Sequence, residues 1–221
     1  MVERSDNSDN FDNFEHSDNF LKVITSITSE SKTMKLILAS NSPRRKELLG
    51  GLEFPFEVRI LEGIDERYPD TLQGEDIPIY ISAQKAKAYL PTLADDELLI
   101  TADTVVMLEG RVLGKPHDRA EAIQMLSDLS GRTHEVITGV SLATREHIKS
   151  FASVSKVTFA QLRQDDILHY VDHYRPFDKA GAYGIQEWIG FIGVTRIEGS
   201  YFNVMGLPIQ RLYEELRSFG I

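Results

Sequence analysis

Lys35-Leu36-Ile37-Leu38-Ala39-Ser40-Asn41-Ser42-Pro43-Arg44-Arg45-Lys46-Glu47-Leu48-Leu49-Gly50-Gly51 is the stretch that sets the architecture of this chain. Leu36 to Ala39 is a short continuous apolar run, the pattern of a strand covered on both faces. Ser42 is a good N-cap and Pro43 a good first helical residue, so a helix opens at Pro43, and Gly50-Gly51 ends it. A buried strand that turns directly into a capped helix is the unit of an α/β fold. The first turn of this helix holds Arg44, Arg45 and Lys46. The helix dipole is already positive there, so each cation costs about 0.3–1 kcal/mol. An anion resolves the conflict: free backbone N–H groups, the Ser40 and Ser42 hydroxyls and two guanidinium forks make a phosphate cradle. A solvated basic helix end is the plain alternative.

Outward from this unit, strands and helices alternate irregularly. Ile77 to Leu90 has helical spacing and contains Lys85 and Lys87, while Leu98 to Leu108 is an apolar strand interrupted by Asp103. Glu109-Gly110 reads as a tight turn into Arg111-Val112-Leu113. Asp118 and Glu121 form a capping box ahead of a helix to Leu129, with Gly131 beyond its end. Segments 134–144 and 149–162 are expected to be antiparallel strand neighbours. Asp165 to Tyr174 reads as a second capped helix, and Pro208 opens a last one to about Arg217. The expectation is an α/β domain with a mixed sheet.

The composition agrees. Of 221 residues, 42% are hydrophobic and 26% charged, ordinary for a globular chain. Apolar runs end within about ten residues, short of the ~20 that a spanning helix needs, so no membrane role is expected. With no cysteine, thiolate zinc sites, cysteine nucleophiles and disulfide frameworks are excluded, which suits a cytoplasmic setting. The net charge of −10 divides unevenly, because residues 1–33 hold seven acidic and three basic side chains. The remaining 188 residues carry only −6, a sign that disfavours nucleic acid but allows a local basic pocket. The first twenty residues repeat Ser-Asp-Asn and Phe-Asp-Asn and favour turns, and residues 1–33 are expected to form a disordered leader. Met34 precedes the first strand and is a candidate translation start. Residues 34–221 are expected to form a single domain.

Three stretches bear chemistry. In Leu98-Leu99-Ile100-Thr101-Ala102-Asp103-Thr104-Val105-Val106-Met107, a carboxylate within so apolar a strand is costly unless paired, protonated or metal-bound. Asp103 is therefore a candidate general base or metal ligand, with a solvent-facing or capping role as the alternative. Gly114-Lys115-Pro116 fixes the approach of a lysine that could neutralise a phosphate, though a surface turn explains it equally well. Phe177-Asp178-Lys179-Ala180-Gly181-Ala182-Tyr183-Gly184-Ile185-Gln186 is glycine-punctuated, implying close backbone approach or a mobile lid. Gln186 ends it with a donor and an acceptor able to read a nucleobase edge.

At these residues the sequence resembles the Maf nucleoside triphosphate pyrophosphatases, a family once linked to septum formation. The resemblance covers nearly all of residues 35–217. Its carriers are the stretch 38–49, Ala-Asp-Thr at 102–104, Gly-Lys-Pro at 114–116, Ser-Gly-Arg-Thr-His at 130–134, Asp-Lys-Ala-Gly-Ala-Tyr-Gly-Ile-Gln at 178–186, and Gly-Ser-Tyr-Phe-Asn-Val-Met-Gly-Leu-Pro at 199–208. The threonine of Ala-Asp-Thr and the long motif ending at Gln186 look like the branch acting on dTTP and UTP. The pattern departs from the family at Glu187-Trp188-Ile189, where a glycine-rich turn is usual.

The resemblance implies an inosine-triphosphatase-like fold, a long twisted mixed β-sheet with flanking helices in two lobes around a cleft. It implies hydrolysis of dTTP or UTP to the monophosphate and pyrophosphate, with Asp103 activating water. Arg44, Thr104 and Gln186 match positions that govern substrate choice. By the same resemblance Ser40, Arg45, Lys85 and Lys115 would hold the triphosphate, and Glu66 would join Asp103 on a divalent cation, expected to be Mg²⁺ with Mn²⁺ or another ion as the alternative, and Asp65 is the alternative ligand. The expected partner is a small-molecule nucleoside triphosphate, with no nucleic acid and no membrane, and a homodimer is compatible. The competing reading is a nucleotide-sensing regulatory protein of cell division that kept the pocket without turnover.

Overall fold

The computed structural model describes residues 34–221, which form one compact unit. The expected leader, residues 1–33, lies outside the described residues. The opening unit forms as its sequence dictates: β1 (Lys35–Leu38) leads into α1 (Pro43–Gly50), with the Ser42 hydroxyl accepting from Arg45 N at the N-cap. Helix α2 (Asp76–Tyr89) and the long strand β3 (Glu97–Leu108) follow. Strand β4 (Arg111–Leu113) returns along β3, and α3 (Arg119–Leu129) leads to β5 (Thr133–Ala143) and β6 (Ile148–Phe159). Helix α4 (Gln164–Tyr174) and the closing helix α7 (Ile209–Arg217) also lie where their patterns put them.

Among the described residues, four short strands and α-helices have no counterpart in the sequence pattern: β2 (Phe56–Val58), α5 (Trp188–Gly193), β7 (Val194–Glu198) and α6 (Tyr201–Met205). Two caps differ. Helix α4 has Arg163 at its N-cap with no side-chain bond, so Asp165 and Asp166 act in its first turn by charge rather than as caps. Asp118 does cap α3, accepting from Glu121 N at 2.8 Å, but the Glu121 carboxylate takes the N–H of His117 at 2.7 Å instead of that of Asp118.

The seven strands form one mixed sheet in the order β2-β1-β3-β5-β6-β7, with β4 also on β3. Strand β1 runs parallel to β2 and β3, and the other pairings are antiparallel. The expected neighbours β5 and β6 pair from Thr133↔Thr158 to Ala143↔Ile148. Strand β3 alternates between two apolar faces. Ile37, Leu99, Val105 and Met107 meet Ile77, Ile81, Ala86 and Tyr89 of α2 on one face. On the other, Leu98, Ile100 and Ala102 pack with α1 and α7, while Val106 and Leu108 pack with α3 and α4. These two clusters flank Asp103 and Thr104 along β3. Each fully buried aliphatic side chain contributes about 1.5–3 kcal/mol, so the polar interruption between the clusters stands out.

That interruption coincides with a gap in the sheet. One edge of β3 is paired with β5 from Leu99 to Met107. The opposite edge is paired with β1 only as far as Ile100 and with β4 only from Val106. Between them, residues 101–105 border no strand on that edge among the described residues. Asp103 and Thr104 therefore sit in a notch open to both faces.

Candidate active site

The notch opens into a cleft of about 770 Å³ lined from both faces of the sheet and by the loop around Asp178 to Gln186. This is within the usual size for a small-molecule site. Nine of the residues singled out from sequence line it: Ser40, Arg44, Arg45, Glu66, Lys85, Asp103, Thr104, Lys115 and Gln186.

On the α2 face, Lys85 Nζ lies 2.8 Å from Asp103 Oδ1 and 3.0 Å from Glu66 Oε1. Asp103 and Lys85 are both 14% exposed, so this pair is shielded yet reachable from the cleft. Burial works to raise the Glu66 carboxyl, but the Lys85 charge and hydrogen bond, with Lys115 and Arg45 behind them, bring it below its ordinary value. Asp65 is engaged elsewhere: Arg67 binds both its oxygens at 2.7–3.0 Å and lowers its pKa to about 2. Of the two acids, Glu66 is the one that meets Asp103. Helix α2 can carry Lys85 this close because Gly139, opposite Asp103 on β5, lies under its first turn. A Cβ there would come within 2.3 Å of the Pro78 backbone.

Glu66 and Asp103 are the side chains that could hold a hard divalent cation. Two carboxylates converge on one cation, the Lys85 ammonium, and a Mg²⁺-type ion commonly takes one or two protein carboxylates and completes its shell with phosphate oxygens and water. Among the described residues no cluster of three or more His, Asp or Glu side chains is arranged for a metal, so a site complete without substrate is absent there.

On the opposite face one cation of the basic helix start is engaged by the protein itself. Arg45 turns inward, donating from Nε to Gly206 O at 2.8 Å, from Nη1 to Ala102 O at 2.9 Å and from Nη2 to Thr104 Oγ1 at 3.0 Å. Burial lowers its pKa, opposed by the charge of Asp103. Three of its five donors are thus spent on the protein. Ser40 is buried and its hydroxyl accepts from Ser42 N at 3.2 Å, bracing the turn into α1. Arg44 reaches across to Asp178, Nη1 to Oδ2 at 3.4 Å. Lys115 is exposed at the rim.

Several participants escaped the sequence reading. Thr138 Oγ1 donates to Asn203 O at 3.0 Å and lies 2.9 Å from Thr104 Oγ1. Asn203 is fully buried, with Nδ2 bonded to Val136 O and Ser155 Oγ, both at 3.0 Å. Lys179 Nζ joins Asp178 at 2.7 Å to Glu187 at 3.2 Å. Glu187 in turn accepts from the Tyr170 hydroxyl, which receives Gly184 N–H at 3.0 Å. This chain brackets Gln186, whose Oε1 is buried without a hydrogen-bond partner. Asn203 lies in a motif noticed as a whole, but nothing local marked Thr138.

Comparison with known proteins decides the lineage. The family model for Maf-like proteins matches residues 35–219. The chain belongs to the Maf-like family. Among its Maf-like relatives, the dTTP/UTP pyrophosphatase of Bacteroides fragilis is 62% identical over 183 residues, 83% of this chain and 95% of that protein. The dTTP/UTP pyrophosphatase of Porphyromonas gingivalis is 53% identical over 191 residues, 86% of this chain and 96% of that one. Among solved structures, this Maf-like chain is similar to a HAM1 protein from Coxiella burnetii, with 16% identity, a TM-score of 0.45, and coverage of 84% of this chain and 99% of that one. A nucleoside-triphosphatase, dITP/XTP pyrophosphatase, from Mycobacterium abscessus shows 20% identity, a TM-score of 0.38, and coverage of 83% and 95%. No helix among the described residues is long and apolar enough to cross a membrane.

Proposed function

We propose that this chain hydrolyses dTTP and UTP to the nucleoside monophosphate and pyrophosphate. The observation that carries the reading is the convergence of Asp103 and Glu66 on Lys85 at the notch, each within 3.0 Å of one ammonium. The names of the 50–62% identical relatives support the substrate class.

Asp103 accepts a proton from water as the water oxygen bonds to the α-phosphorus. The bond from that phosphorus to the oxygen bridging to the β-phosphate breaks, and the electron pair leaves with pyrophosphate. Glu66 and Asp103 would hold a divalent cation, Mg²⁺ or Mn²⁺, which when bound supplies Lewis-acid polarisation and charge screening. Lys85 and Lys115 offset charge on the leaving pyrophosphate, and Arg44 reaches the substrate once it exchanges Asp178 for it. Arg45 acts mainly by holding Thr104 and the Ala102 carbonyl in place. Gln186 and Thr104 address the base. The same reading takes the chain as a cytoplasmic enzyme of the nucleotide pool that needs neither nucleic acid nor membrane.

A panel of nucleoside triphosphates assayed separately for pyrophosphate and orthophosphate tests this. Pyrophosphate from UTP and dTTP is expected, and orthophosphate as first product overturns it. Tight UTP binding without turnover under any divalent cation would favour a nucleotide sensor instead.

A further inference from the structure

We propose that Thr138, anchored on the main chain of Asn203, is a positioning residue that takes up the Thr104 proton and leaves Thr104 only an acceptor to present to the cleft, so that the cleft selects uracil and thymine over cytosine. The proposal rests on the reading of the cleft as a pyrimidine triphosphate site.

A threonine hydroxyl has one proton and two lone pairs. The Asn203 carbonyl can only accept, and it lies 3.0 Å from Thr138 Oγ1. Without a proton between them the two oxygens would repel, so the Thr138 proton points at Asn203. Thr138 must then accept in its 2.9 Å contact with Thr104, which makes Thr104 the donor. One Thr104 lone pair takes Arg45 Nη2 at 3.0 Å. All that Thr104 has left for the cleft is a lone pair.

The anchor is rigid. Asn203 is fully buried, its side-chain amide is held by Val136 and Ser155, and its carbonyl also receives Gly206 N–H at 2.9 Å. Gln186 Oε1, a buried acceptor without a partner, lines the same cleft. Acceptors on its wall suit a base that presents a ring N–H. Uracil and thymine carry that proton on N3, whereas cytosine has a lone pair there. Gln186 alone cannot tell them apart, since turning its amide over exchanges donor and acceptor. A freely rotating Thr104 hydroxyl would adapt in the same way. The Thr138 contact removes that freedom, and an unpaired lone pair facing a lone pair is where discrimination is large.

The test compares binding of the α,β-methylene analogues of UTP and CTP, and pyrophosphate release from UTP and CTP, in the unaltered chain and in Thr138→Val and Thr138→Ser. Thr138→Val frees the Thr104 proton and is expected to lower the UTP-to-CTP affinity ratio about tenfold, while Thr138→Ser holds it within about twofold. An unchanged ratio in Thr138→Val, including a parallel fall in both affinities, overturns the proposal. So does equal binding of the two analogues by the unaltered chain. If circular dichroism shows Thr138→Val unfolded, Thr104→Val carries the same expectation from the cleft surface, and an unchanged ratio there overturns it. If UTP yields no pyrophosphate while the binding ratio still responds to Thr138→Val, the functional reading fails and this proposal stands.

Discussion

Arg45 donates to the Gly206 carbonyl at 2.8 Å and, from the other side of its guanidinium, to the Ala102 carbonyl at 2.9 Å, stitching α1 to the open edge of β3 and to the turn after α6. Arg45 thus braces the helix start against two other parts of the chain. Arg45→Lys keeps the charge but strands at least two buried acceptors, each worth about 1–3 kcal/mol. Urea denaturation is expected to show a loss of about 2–6 kcal/mol. A variant as stable as the parent but with a raised KM would return Arg45 to the triphosphate.

Gly139 sets how near α2 lies to β5, and hence where Lys85 stands. Alanine there would put a Cβ within 2.3 Å of the Pro78 carbonyl, so the helix must lift. Overpacking of this kind costs about 1–3 kcal/mol or more. Gly139→Ala is expected to lower the melting temperature and kcat together. Unaltered thermal unfolding would show that α2 has slack.

Gln186 is held from outside the cleft by Tyr170, whose hydroxyl receives Gly184 N–H and donates to Glu187. Tyr170→Phe leaves that buried N–H unpaired at a cost of about 1–3 kcal/mol. Steady-state kinetics are expected to show a raised KM for UTP with kcat less affected. An unchanged KM would mean that Glu187-Trp188-Ile189 positions the loop without this tyrosine.

His134 is buried, its Nε2 shares a 2.7 Å hydrogen bond with the Tyr183 hydroxyl, and its Nδ1 has no partner. Burial lowers its pKa from 6.5 to about 4. The unfolded chain therefore binds a proton that the folded chain refuses between these values. The stability from neutral His134 is complete above pH 6.5 and lost as the pH falls towards 4, by an amount on the order of 3 kcal/mol. Stability curves of the parent and His134→Gln are expected to converge on acidification through this window. Parallel curves would contradict it.

Much of this was legible locally. The Ser42 cap and the apolar run of β3 broken at Asp103 are properties of a few adjacent residues, and both are found where expected. Strands β2 and β7 were not, because they are exposed sheet-edge segments of three and five residues with too little periodicity to register. The candidate site was legible as a set of residues and not as an arrangement. All nine line one cleft, but the inward turn of Arg45 depends on carbonyls 57 and 161 residues away. The choice of Glu66 over Asp65 hangs on Arg67, and Thr138 acquires meaning only across the β3–β5 ladder.

The proposed mechanism has Asp103 take the proton from the attacking water. The most direct measurement is pyrophosphate release from UTP by the parent and by Asp103→Asn under saturating divalent cation. The asparagine keeps the shape and removes the base, so kcat is expected to fall by at least about 10²-fold, with the fold intact by circular dichroism. A folded Asp103→Asn that turns over UTP within about threefold of the parent, where loss of a general base should cost 10²–10⁴, would contradict the account.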